Sequence, residues 1–98
     1  MARFDVYELA HGGLVVDCQA DFLKDIGTRF SVPLLPRGSG PGPNPRINPP
    51  FEVEGEQLVL VVQLAGVVRT SELRRKVMSL DAEHLRITNA IDILIGTG

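Results

Sequence analysis

The last eighteen residues, Asp81 to Gly98, are the only stretch with a sustained helical period, and that restricts the fold more than any other feature. Ile87, Ile91, Leu94 and Ile95 recur at helical spacing and form one apolar stripe. Asp81 is placed to N-cap this helix, and Glu83 suits the positive end of its dipole. Gly96 is placed to stop it as a C′ residue. The spacing therefore predicts a helix over 81–95 followed by a short bare tail. Everything upstream reads as strand and loop. About five or six short strands followed by one helix predict a mainly β fold, a small barrel capped by a C-terminal α-helix.

The strands are read in order. Phe4, Val6 and Leu9 alternate as a first strand, and Leu14, Val15, Val16 and Cys18 as a second. The turn Ala10-His11-Gly12-Gly13 between them makes a hairpin. Asp21 to Asp25 is a connection, and Arg29 to Leu35 is a third strand, with Pro33 confining its end to an edge or a bulge. Pro36 to Pro50 holds six prolines and three glycines, so it is predicted as an exposed and largely extended loop. Phe51 to Glu56 and Gln57 to Leu64 read as a hairpin turned at Glu54-Gly55. The second arm is apolar on both faces, as in a central strand. Arg69 to Val77 fits a short strand, a helical turn or both in succession.

A chain of 98 residues suits one domain, 1–98, with a single core. A net charge of −2 leaves no electrostatic footprint for nucleic acid or an anionic membrane. The N-terminal Met-Ala-Arg-Phe-Asp-Val-Tyr lacks the apolar core of a signal peptide, and no run approaches the roughly 20 apolar residues of a transmembrane helix. The single cysteine excludes an internal disulfide and suits a reducing cytoplasm. The expectation is a soluble, cytoplasmic domain.

Chemistry-bearing residues are sparse. Cys18 lies in an apolar strand with no basic neighbour in sequence, which favours a buried small hydrophobe over a reactive thiol. His11 and His84 have no partners at metal-ligand spacing, and His84 is expected to be a partly buried structural histidine. Asp17 and Asp21 read as turn-capping carboxylates that face water. Arg74-Arg75-Lys76, with Arg69 nearby, is a solvated basic face or a phosphate contact. Ile93 falls on the polar side of the helix with Arg86 and Asn89, the position of a contact with a partner or second subunit.

The order of residues adds a resemblance. The pieces are Arg3-Phe4-Asp5-Val6-Tyr7, Val16-Asp17-Cys18-Gln19-Ala20-Asp21, Gly27-Thr28-Arg29 and Val32-Pro33-Leu34-Leu35-Pro36-Arg37. Arg46-Ile47-Asn48-Pro49, Phe51-Glu52-Val53 with Gly55-Glu56, Leu64-Ala65-Gly66-Val67, Ser79-Leu80 and Asn89-Ala90-Ile91-Asp92-Ile93-Leu94 follow. In this order and spacing the chain resembles the CcdB family of toxins from bacterial toxin–antitoxin modules. The resemblance implies an SH3-like barrel of the CcdB/MazF kind and a homodimer. It implies a function without enzymatic chemistry or cofactor: binding the A subunit of DNA gyrase and trapping its cleaved-DNA complex. It further implies neutralisation by a CcdA-like antitoxin with a disordered segment, and contact with DNA only through gyrase or the antitoxin complex.

Carried over by position, the gyrase-facing residues are Phe22, Leu23, Asp92, Ile95, Gly96, Thr97 and Gly98. The best-known family pattern ends with an aromatic and then Trp-Gly-Ile. Here Ile95 and Gly96-Thr97-Gly98 stand instead, and the chain has no tryptophan. That departure places the apolar contact on Phe22, Leu23 and Ile95. Two alternatives stand beside this reading: a ribonuclease toxin of the MazF and Kid type using the Arg69 to Lys76 cluster, and a toxin relative that has lost its target.

Overall fold

The computed structural model describes residues 2–39 and 44–97; Gly98 and the 40–43 part of the predicted loop lie outside them. Strands β1 (Asp5–Leu9) and β2 (Leu14–Asp17) form the expected hairpin, with Val6 opposite Val16 and Tyr7 opposite Val15. Alternation sends Val6 and Val16 to one face and Tyr7 and Val15 to the other. Strand β3 (Thr28–Pro36) is the longest. It pairs with β2 along one edge and divides its other edge between two strands, β6 (Gly66–Arg69) and β5 (Glu56–Leu60). Proline chemistry predicts an edge or a bulge for Pro33; it lies instead in this interior strand. Its carbonyl accepts the Val61 N–H at the point where β3 changes partner. A strand residue's N–H and C=O point to the same side, so the donor that proline lacks faces the gap between β6 and β5.

Strand β4 (Pro50–Val53) pairs with β5 through a two-residue turn. Glu54 (φ 51°) and Gly55 (φ 79°) are both left-handed there, the geometry of a type I′ hairpin. The predicted strand through Leu64 ends early, at Leu60. Val61 turns away to bond Pro33, and Val62–Leu64 forms a 3₁₀ turn with Val62 buried. The apolar run marked a segment turned into the core, which periodicity does not separate from a central strand. The ambiguous stretch beyond resolves into β6, a 3₁₀ turn at Thr70–Glu72 and β7 (Leu73–Ser79). The strands number seven among the described residues, more than the five or six expected.

The antiparallel order β4-β5-β3-β2-β1-β7, with β6 also on β3, sets β6 and β7 four strand spacings apart. Flat, that is about 19 Å, whereas a three-residue 3₁₀ turn advances about 6 Å. The sheet must therefore curl, and it does so into an incompletely closed small barrel of the SH3-like kind. One face holds the main core, with Phe4, Val16, Val32, Phe51, Leu60 and Val62 at its centre. The other carries a small cluster of Tyr7, Leu9 and Val15 under Val68 and Leu73.

Helix α1 (His84–Ile95) follows a 3₁₀ turn at Asp81–Glu83, so the predicted 81–95 span is two elements. Asp81 does not N-cap α1. The Asp81 N–H is itself bonded to Ser79 Oγ, and α1 begins after Glu83 without a side-chain cap. Of the predicted stripe Ile87 is buried and Ile91 half-buried, joined by Ala90, while Leu94 and Ile95 project from the surface. Arg86 ties α1 to the sheet by donating to the Pro50 carbonyl and stacking 4.3 Å over the Phe51 ring. The loop after β3 is less extended than expected. Asn44 to Asn48 is a turn, and buried Asn48 donates to the Leu60 carbonyl at 3.1 Å and to Gln63 Oε1 at 2.8 Å.

Asp17 departs most from expectation, for it is buried and not a water-facing cap. Arg29 Nε donates to Asp17 Oδ2 at 2.9 Å, and Arg29 Nη2 lies 2.7 Å from the same oxygen. Both side chains are essentially inaccessible, at 0% and 1%. Asp17 Oδ1 also accepts the Gln19 N–H. Truncating one partner strands the other charge in the interior, which costs about 3–5 kcal/mol. Asp17→Ala is therefore expected to lose about that much unfolding free energy in a urea titration. Asp21→Ala, at an exposed carboxylate, is expected to lose under about 1 kcal/mol by the same measurement.

Candidate functional site

Phe22 and Leu23 lie in a 3₁₀ turn, Asp21–Leu23, between β2 and β3. Phe22 is 85% exposed and Leu23 partly so. The backbone beneath them is held firmly. Leu23 N–H bonds the Ala20 carbonyl, Lys24 N–H bonds that of Asp21, and the Asp21 carboxylate accepts the Arg3 N–H at 2.8 Å. Gln19 clamps the turn from the other side. Its Nε2 donates to the Leu23 carbonyl at 3.1 Å, and its Oε1 accepts the Phe30 N–H at 2.9 Å. A large apolar ring on a braced turn is presented to solvent at low conformational cost. Sequence reasoning missed Gln19; a long amide just beyond a strand end was the available signal.

The second group lies at the end of α1. Gly96 is left-handed (φ 87°), and its N–H bonds the carbonyls of Asp92 and Ile93. Thr97 N–H reaches back to the Asp92 carbonyl at 2.8 Å. These bonds make a Schellman-type cap, so Gly96 terminates the helix as predicted. The Asp92 carboxylate makes no ion pair or hydrogen bond among the described residues. Ile95 is 64% exposed. Ile93, expected to project outward as a contact, is instead half-buried. Gly98, the last residue of the carried-over set, lies outside the described residues.

No hydrogen bond or ion pair joins the Asp21–Leu23 turn to α1 among the described residues. The turn is tied to Arg3, and the neighbouring Phe4 ring stacks 6.0 Å from His84, at the start of α1. Twelve helical residues then carry the chain about 18 Å to Ile95.

A family model described as CcdB protein matches residues 3–97, nearly the whole chain. The chain belongs to the CcdB family. It is thus a toxin of a toxin–antitoxin module, with the curled antiparallel sheet and C-terminal helix of that fold. Comparison with curated proteins finds no match.

The remaining chemistry-bearing residues of this CcdB-family chain have structural surroundings. Arg75 bonds Glu8 and Glu54, and Lys76 pairs with Asp5 at 3.5 Å. Hydrogen bonds to Glu54, then Glu8, hold the Arg75 guanidinium above its ordinary pKa. His84 is exposed and not partly buried as expected, with Nδ1 2.8 Å from the Asp81 carbonyl. His11 Nδ1 accepts the Gly13 N–H within the β1–β2 turn. No group of three or more potential metal ligands occurs among the described residues, and no helix there is long and apolar enough to cross a membrane.

Cys18 is buried, as its apolar strand predicts. Burial first, and the Asp17 carboxylate second, push its thiol from 9.0 to about 12. The unfolded thiol ionises near its ordinary pKa while the folded one stays protonated, so the unfolded state binds fewer protons in that range. Stability is therefore full below about pH 9 and falls as pH rises toward 12, by at most about 4 kcal/mol. Urea titrations from pH 8 to 11 are expected to show this decline, and Cys18→Ala is expected to flatten it. Alkylation of folded protein at pH 8 is expected to be negligible until denaturant is added.

Proposed function

We propose that the chain is a single CcdB-like toxin domain, 1–98, that acts in the cytoplasm as a homodimer. It binds the A subunit of DNA gyrase and traps the cleaved-DNA complex. It is a poison and not an enzyme, needs no cofactor, and meets DNA only through gyrase or the antitoxin complex. A CcdA-like antitoxin reverses it by folding a disordered segment onto the toxin. The observation that carries the reading is the family match over residues 3–97.

Local geometry supports the choice of contact residues. Phe22 is a nearly free aromatic ring on a braced turn, the kind of anchor that fills a pocket on a partner. Leu23 extends the same surface, and Ile95, Gly96 and Thr97 offer a second apolar and small-residue surface with Asp92 beside it. In a homodimer a two-fold axis presents each of these surfaces twice to gyrase. Of the Arg69 to Lys76 cluster on which the ribonuclease reading rests, Arg75 and Lys76 are engaged in surface ion pairs, while Arg69 and Arg74 make none among the described residues. The missing tail aromatic favours one other reading, a family member that has lost its target.

The test is gyrase supercoiling and cleavage-complex formation with purified protein. Inhibition and trapped cleavage are expected at micromolar protein. Phe22→Ala is expected to weaken binding about 30-fold, corresponding to about 2 kcal/mol for a buried aromatic anchor, with an unchanged circular dichroism spectrum. No inhibition together with no growth arrest on expression would sink the gyrase reading in favour of the lost target.

A further inference from the structure

We infer that Gln19 is the positioning residue for the Phe22–Leu23 contact. Its side-chain amide replaces one bond of the β2–β3 ladder, and that replacement fixes where the chain leaves the sheet and how far the Phe22 ring stands out. This rests on the contact role of Phe22 in the reading above.

The ladder runs regularly to Asp17 opposite Ser31, so the next rung joins Cys18 and Phe30. A closely spaced antiparallel rung exchanges two backbone bonds. Here the backbone makes one of them, with the Cys18 N–H donating to the Phe30 carbonyl at 2.9 Å. The return bond is replaced at both ends. The Phe30 N–H donates to Gln19 Oε1 at 2.9 Å, and the Cys18 carbonyl accepts Arg3 Nε at 3.2 Å.

That replacement has a geometric consequence. A backbone rung would hold the chain against β3, whereas a glutamine amide reaches the same donor from the end of a long side chain. The backbone of Gln19 therefore stands off from β3 and turns away. Ala20 follows at φ −58° and ψ 139°, extended and outside the ladder, and the Asp21–Leu23 turn begins. The same amide closes the far end of the turn, where its Nε2 donates to a Leu23 carbonyl that also accepts the Ile26 N–H. One planar group thus sets the spacing between β3 and the turn, and Phe22 sits inside the loop it closes. Without that group the Phe30 N–H is free to take the Cys18 carbonyl, which draws the turn toward β3 and moves the ring.

Both amide bonds lie at exposed positions, so losing them costs little global stability. Their loss falls on the order of the turn, and a contact that must be ordered on binding gives up affinity.

A double-mutant cycle on binding to the gyrase A subunit tests this. Gln19→Ala is expected to weaken binding about 10-fold, on the scale of one lost hydrogen bond, with a urea midpoint close to that of wild type. Gln19→Glu keeps the acceptor for Phe30 and loses the donor to Leu23; it is expected to weaken binding as well, and it repeats the test should Gln19→Ala fail to fold. Gln19→Ala combined with Phe22→Ala is expected to bind no more weakly than Phe22→Ala alone, because Gln19 acts through the ring. Amide hydrogen exchange supplies a readout that needs no gyrase. Gln19→Ala is expected to speed exchange of the Phe30 and Lys24 N–H groups several-fold and to leave that of Val32 unchanged. Wild-type affinity in Gln19→Ala, or losses that add in the double variant, overturns the positioning role while the gyrase reading stands. If wild type leaves gyrase unbound, that reading falls and exchange decides: unchanged rates at Phe30 and Lys24 overturn the role of Gln19, and faster rates uphold it.

Discussion

The Arg29–Asp17 pair is the interaction on which the arrangement of strands depends. It crosses from β3 to β2 on the face opposite the main core, with both groups out of water. Two charges buried this deeply gain little over an apolar pair of similar size, but a misaligned pair costs several kcal/mol. A one-residue slip of β2 on β3 moves Asp17 to the wrong face and leaves a naked guanidinium. The pair therefore acts on register more than on total stability. The same face carries Tyr7, whose hydroxyl is held protonated by burial first, and then by Asp5 and Asp17 against the pull of Arg29.

β3 transmits that register to the rest of the sheet. It contacts β2, β5 and β6, and the turn from β6 to β7 forces the sheet to curl. The helix then covers the core from outside through Ile87 and Ala90, anchored at Arg86. The large exposed apolar side chains among the described residues fall in separate places: Phe22 and Leu23 with Ile26, Leu64 with Val67 and Phe30, Leu85 at the start of α1, and Leu94 with Ile95 at its end.

The helix, its glycine stop, the first hairpin and the Glu54-Gly55 turn were legible in the sequence because each depends on local chemistry. A period of 3.6, a left-handed residue and an alternation over five residues need no knowledge of the remainder. The misreadings share one cause. Asp17 read as a turn residue because its partner, Arg29, is twelve positions away, and Pro33 as an edge residue because a strand that changes partners midway is not a local property. Gln57 to Leu64 read as one strand because apolar residues aimed at a core look alike in either conformation. The carried-over contact residues came from the order of motifs, and their exposure on Phe22 and Ile95 fits that origin, since nothing in their periodicity marks them. Gln19, which braces Phe22, had no signal beyond its position after a strand.

The cap at Gly96 limits which side chains the end of α1 can carry. With φ at 87° the chain leaves α1 by a left-handed step that a residue with a Cβ adopts at a penalty of about 1–2 kcal/mol. A tryptophan at this one site would add a ring but strain the backbone that now aims the tail. Placing a large side chain at the helix end would need the exit of the chain to be rebuilt along with it.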